Sequence, residues 1–204
     1  MNQINIAIID YGTGNSGSLV SLFKGLGYRT KITRNQEDID RSNVILLPGV
    51  GAYSQAMANL RESRLVDFLQ EKIEKGKPAI GICLGMQMLF DSSEEIEHTE
   101  GLGLIPGKIV ALNKPKWHIG WNSVHRKGED SFSNLISGEA FYFNHSFTVD
   151  CCAKYVCGTA WHDRPITAAV KKDNIIGFQF HPEKSQEQGA QLVKMAIREI
   201  LNVK

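Results

Sequence analysis

The stretch that most constrains this chain is Ile80-Gly81-Ile82-Cys83-Leu84-Gly85-Met86-Gln87. Pro78 to Ile82 reads as a short apolar strand, and Met86 to Phe90 as the start of a helix. Between them Cys83 sits in a G-x-C-x-G pattern. This is the cysteine version of the nucleophile elbow, a tight strand-to-helix turn that lifts one side chain above a sheet. The flanking glycines let the backbone crowd that turn. A helix N-terminus also favours thiolate over thiol, and the thiolate is the nucleophile. A lone cysteine after an apolar run is more often core. The paired glycines and the change from strand to helix reverse that expectation.

The rest of the chain supplies a sheet for such an elbow. Ile4 to Ile9 and Val44 to Leu47 are nearly continuous apolar runs, the signature of strands buried on both faces. Leu19, Leu22, Phe23 and Leu26 recur at helical spacing, as do Leu65, Phe68, Leu69 and Ile73. The alternation predicts an α/β, doubly wound, mostly parallel sheet with helices on both faces. After Phe90 a polar, acidic loop is expected over Asp91 to Gly101. Short strands follow and read as antiparallel additions to the sheet, with aromatics at Trp117, Trp121, Phe141, Tyr142, Phe143 and Phe147. The last strand, Ile175 to Phe180, leads into His181-Pro182-Glu183, and a closing helix spans Gln186 to Leu201. At 204 residues the expectation is one domain over 1–204.

A net charge of +1 suggests neither nucleic acid nor an anionic membrane as partner. No apolar run approaches a membrane span of ~20 residues. The first residues show no signal-peptide pattern. Cys83, Cys151, Cys152 and Cys157 form neither a C-x-x-C motif nor a zinc spacing. A reducing cytoplasm is expected, with no metal and no cofactor. Gly12 to Gly17 fits G-x-G-x-x-G, but Asp10 and Tyr11 separate it from the strand and a carboxylate there repels a diphosphate. A plain βα turn is the favoured reading.

His181 and Glu183 complete the candidate site. In extended chain, positions i and i+2 share a face, so the carboxylate can hold the imidazole N–H. That is the base-plus-orienter half of a triad. Cys83 would attack a carboxamide carbon, His181 would shuttle the proton, and the N–H of Leu84 with one from the Gly49–Gly51 turn would hold the oxyanion.

Taken together, Gly81–Gln87 and Phe180–Glu183 resemble the class I (triad) glutamine amidotransferases. More narrowly, the chain looks like the glutaminase subunits of imidazole glycerol phosphate synthase. The matching segments are Asp10-Tyr11-Gly12-x-Gly14-Asn15, Leu47-Pro48-Gly49-Val50-Gly51, His118-Ile119-Gly120-Trp121-Asn122, Tyr142-Phe143-x-His145-Ser146 and His181-Pro182-Glu183-Lys184-Ser185. The resemblance implies a flavodoxin-like fold, and that Gly49, Gln87, His145 and Ser146 hold glutamine. It places Leu84, Val50 and Gly51 around the oxyanion, with a peptide flip in Pro48–Gly51 completing the hole. It turns Tyr142, His118, Trp121, Asn122 and Lys184 toward a partner, a (β/α)8-barrel cyclase that receives ammonia. Ser16-Gly17, Trp117 and Asn144 depart from the family pattern. They leave open a paralogue that supplies a sugar amidotransferase of surface polysaccharide, and a stand-alone cysteine hydrolase is a further alternative.

Overall fold

A computed structural model describes residues 3–12, 16–128, 133 and 136–201. Thr13 to Asn15, the middle of the Gly12–Gly17 pattern, lie outside the described residues.

The first half alternates strand and helix: β1 (Asn5–Ile9), α1 (Ser16–Gly25), β2 (Arg29–Thr33), α2 (Gln36–Arg41), β3 (Val44–Leu47), α3 (Tyr53–Glu62), α4 (Val66–Glu74) and β4 (Ala79–Ile82). β3 and β4 are buried along their whole length because both faces are covered. Ile6, Ile8, Val44, Leu46, Ile80 and Ile82 pack with Leu19 and Phe23 of α1 on one face. Their alternates Ala7, Ile9, Ile45, Leu47 and Ala79 pack with α3 and α4 on the other. The start of α2 is chemically marked: the Asn35 side chain accepts from the N–H groups of Glu37 and Asp38 at 2.9 and 3.2 Å, a cap worth about 1 kcal/mol.

The second half is mostly strand: α5 (Leu84–Gln87), β5 (Phe90–Ser93), β6 (Thr99–Glu100), β7 (Ile105–Ala111), β8 (His118–Arg126), β9 (Ala140–His145), β10 (Phe147–Cys151), β11 (Val156–Trp161), β12 (Pro165–Lys172), β13 (Ile175–Phe178) and α6 (Gln186–Ile200). The central sheet runs β2-β1-β3-β4-β13-β12-β11-β8-β9. It is parallel from β2 through β13 and antiparallel beyond. This is the α/β architecture expected, with one correction. β5, β6, β7 and β10 do not extend the central sheet; they form a second sheet in the order β10-β7-β5-β6. It adds Phe90, Ile105, Ile109 and Val149 to the α3/α4 side of the core. The acidic loop expected over Asp91 to Gly101 accordingly carries most of β5 and all of β6. Ser93 and Thr99 are buried there.

The crossing that matters is β4 beside β13. Ile82 pairs with Phe178, and the Cys83 N–H donates to the Phe178 carbonyl at 2.6 Å. The ends of these neighbouring strands deliver Cys83 and the segment leading to His181.

Candidate active site

Cys83 occupies a backbone conformation that side chains rarely adopt, φ +50° and ψ −108°. Such strain persists where surrounding structure over-determines it. Here the turn is clamped by backbone contact. A Cβ on Gly85 would stand 2.0 Å from the Leu47 carbonyl oxygen. One on Gly49 would stand 1.7 Å from the Ile82 oxygen and 2.6 Å from the Leu84 nitrogen. Both positions therefore require glycine. The Gly49 loop lies against the peptide N–H of Leu84, the first residue of α5, which has no carbonyl to meet within the helix.

The helix after Cys83 is a single turn, shorter than the sequence pattern predicted. The Met88 carbonyl accepts from Leu102, and that of Leu89 from Leu104 and Ile105. With those acceptors taken, the chain turns into β5 at Phe90. A one-turn helix carries little macrodipole.

The His181–Glu183 pair is also built differently from the expectation. β13 stops at Phe178, and Pro182–Lys184 is a 3-10 turn rather than extended chain. The turn curls the carboxylate back onto its own histidine: Glu183 Oε1 lies 2.8 Å from His181 Nδ1, with side chains 3% and 1% exposed. Around them, the His181 N–H donates to the Tyr142 carbonyl at 2.8 Å, and the Ser185 hydroxyl donates to the His181 carbonyl at 2.7 Å while accepting from the Tyr142 N–H at 3.0 Å. Burial, the largest single influence, pulls the imidazole pKa down. The Cys83 sulfur and the Glu183 carboxylate more than offset it and lift the value to about 9. Nε2 is buried and makes no hydrogen bond of ordinary geometry.

A pocket of about 260 Å³ opens over the sulfur, lined by Gly49, Val50, Gly51, Cys83, Leu84, Gln87, His145 and Ser146 together with Glu95, Asn144 and Phe147. It gathers every residue expected at the oxyanion and substrate positions. Glu95 went unnoticed in the sequence, where Asn144 stood out only as a departure from the family pattern. Glu95 accepts from the Tyr53 N–H at 2.9 Å, and the Asn144 carbonyl faces the Cys83 thiol at 3.9 Å. Among the residues expected to face a partner, Trp121, Tyr142 and Lys184 cluster on one surface. The Lys184 ammonium lies 5.6 Å from the Tyr142 ring centre, and Trp121 meets Tyr142 edge-on. His118 does not join them. It is buried, because its register opposite His145 on β9 turns the ring inward. Asn122 is half-buried and turned toward it. Among the described residues no group of His, Cys, Asp and Glu could hold a metal ion, and no helix is long and apolar enough to cross a membrane.

Comparison with known proteins follows the same lines. The family model described as glutamine amidotransferase class-I matches residues 7–200. Imidazole glycerol phosphate synthase subunit HisH of Bacillus cereus (strain B4264) is 44% identical over 194 residues, covering 93% of this chain and 92% of that protein. Imidazole glycerol phosphate synthase subunit HisH 2 of Vibrio vulnificus (strain YJ016) is 43% identical over 198 residues, covering 94% and 92%. Among solved structures, PurLQS from Thermotoga maritima superposes with a TM-score of 0.77 at 18% identity over 97% of this chain and 99% of that one. A crystal structure of a glutamine amidotransferase gives 0.75 at 16%, covering 97% and 99%. At those identities the superpositions speak to fold alone.

Proposed function

This chain belongs to the class-I glutamine amidotransferases, and from that premise we propose how it works. Residues 1–204 form one glutaminase domain that converts L-glutamine to glutamate and ammonia. Cys83 attacks the side-chain carboxamide while His181 takes the thiol proton and returns it to the leaving amine, a role typically worth ~10²–10⁴-fold. Glu183 orients His181 and supports its charge. The Leu84 N–H and one from Val50 or Gly51 receive the oxyanion, each donor worth roughly 3 kcal/mol. Gly49, Gln87, His145 and Ser146 hold the substrate. Ammonia leaves, and water then splits the thioester.

The ammonia goes to a (β/α)8-barrel cyclase bound as a heterodimer in the cytoplasm, in the histidine pathway that the relatives' names indicate. The partner docks on the face bearing Trp121, Tyr142 and Lys184. The observation that carries the reading is the convergence of a strained Cys83 and a buried His181–Glu183 pair from adjacent strand ends beneath one pocket. Cys83→Ala is expected to abolish ammonia release from glutamine while synthesis by the complex persists on added ammonium. Loss of both activities, or survival of both, overturns it.

One observation favours a second reading, a paralogue serving another acceptor. Trp117, which departs from the family pattern, is 60% exposed directly before β8. Isolation of the partner from source cells separates the two.

A further inference from the structure

Gln179 lies between the end of β13 and His181, is fully buried, and turns its amide toward the nucleophile. Its Nε2 donates to the Cys83 sulfur at 3.7 Å, and its Oε1 accepts from Gln87 Nε2 at 3.1 Å. We infer that Gln179 is a catalytic residue of this site, a side-chain donor that holds the Cys83 thiolate, and that the Phe147 carbonyl, acting through Gln87, fixes which end of its amide meets the sulfur. The inference rests on the glutaminase reading for its purpose, though not for its geometry.

The orientation follows from the partners. The Phe147 carbonyl can only accept, so the group of Gln87 that lies 3.2 Å from it must be the NH2. The second N–H of that amine then requires an acceptor at Gln179, which leaves the Gln179 NH2 facing Cys83. The same carbonyl receives His145 Nδ1–H at 2.7 Å. His145 Nε2 is therefore an acceptor in the neutral ring, and His118 Nδ1–H donates to it at 2.9 Å. His118 Nε2 in turn accepts from Asn122 Nδ2 at 2.9 Å. Asn122 has no freedom to flip, because the same amine donates to the Trp161 carbonyl at 2.6 Å. Every donor along this chain meets an acceptor, and reversing any one member would set two donors or two acceptors against each other. Burial chiefly keeps both histidines neutral, with pKa values pulled down to about 4 at His118 and about 3 at His145.

Neighbouring groups also bear on the sulfur. His181 faces it from beyond β13, with Glu183 behind. His145 and the Asn144 carbonyl face it from the end of β9, and Glu95 lines the same pocket. Of the uncharged groups, the Asn144 carbonyl only accepts, so it favours the thiol. Gln179 is the side-chain amide that favours the thiolate.

The test reads the thiol and needs neither partner nor glutamine turnover. Alkylation of Cys83 by iodoacetamide is followed across pH in the full chain and in Gln179→Glu, which keeps the acceptor for Gln87 but replaces the donor with a charge. The half-maximal rate is expected to move up by about one pH unit or more. Gln179→Leu is expected to move it in the same direction by less. Profiles that coincide with the native one overturn the inference. Where neither variant folds, the native chain labelled with ¹⁵N at glutamine side chains decides. The Gln179 amide resonances are expected to shift as Cys83 ionises and again on alkylation, and amide signals that stay fixed overturn it. A native chain that alkylates as expected yet releases no ammonia with its partner would sink the glutaminase reading alone.

Discussion

Two buried histidine clusters, one reaching Cys83 through His181 and one reaching its pocket through His145, are pushed in opposite directions. At the end of β13, His181 meets a carboxylate and a sulfur and is lifted to about 9. Across the pocket, His145 and His118 meet a carbonyl, an amide and each other, and fall to about 3 and about 4. Burial acts downward on all three. The difference lies in the partner: the raised ring sits beside a carboxylate and a sulfur, and the lowered rings sit among neutral groups with one permitted arrangement. The exposed pair His98–Glu94 is the control. Its 2.7 Å contact is as short as that of His181–Glu183, but both side chains are more than 60% exposed and water screens them.

The sharpest way to break this comparison is Glu183→Gln, which leaves His181 with the Cys83 sulfur but without its carboxylate. Glutamine turnover with the partner is expected to fall by ~10³–10⁴-fold, as when a triad loses its orienting carboxylate. The His181 titration, followed by imidazole NMR, should drop from about 9, while the Cys83 sulfur beside the ring keeps it above that of His145.

Next in size is the pH dependence of stability. For His181 the folded pKa is raised, so its stabilisation is complete below about 6.5 and is lost as pH climbs through about 9. For His145 and His118 the folded values are depressed. The unfolded chain then binds more protons between about 6.5 and 3–4, and stability is lost as pH falls through that window. Urea titrations at pH 7 and pH 4 should show a loss on the order of 2 kcal/mol per histidine, on top of what other groups contribute. An acid profile that keeps its shape in His118→Gln would show that the neutral cluster plays no part.

A smaller effect is expected from Asn122→Asp, which gives the neutral cluster a carboxylate. The His118 titration should rise by about 1 pH unit, limited by the half-exposed setting of residue 122. No movement would mean that partner identity is not what separates the two clusters. Smallest of all, Glu94→Gln should leave both melting temperature and turnover unchanged.

The parallel half of the fold was legible because strands covered on both faces have to be apolar throughout, as Val44–Leu47 is. The elbow was legible because Gly85 has no alternative: a Cβ there would run into the carbonyl of Leu47. Less could be read where the deciding contact is remote. Only the pairing of β8 with β9 sets His118 opposite His145 and turns it inward. Ser93 and Thr99 looked like loop residues until a second sheet enclosed them. Gln179 sits in an apolar run, and nothing local says that its amide faces a sulfur 96 positions away.

The insertion of β13 between β4 and β12 also has a consequence for biosynthesis. Cys83 is translated long before the strand that lies beside it, and the elbow hangs from the Phe178 carbonyl. A nascent or truncated polypeptide lacking its final quarter carries a thiol with neither imidazole nor amide to serve it. On the proposed mechanism such a fragment is expected to release no ammonia.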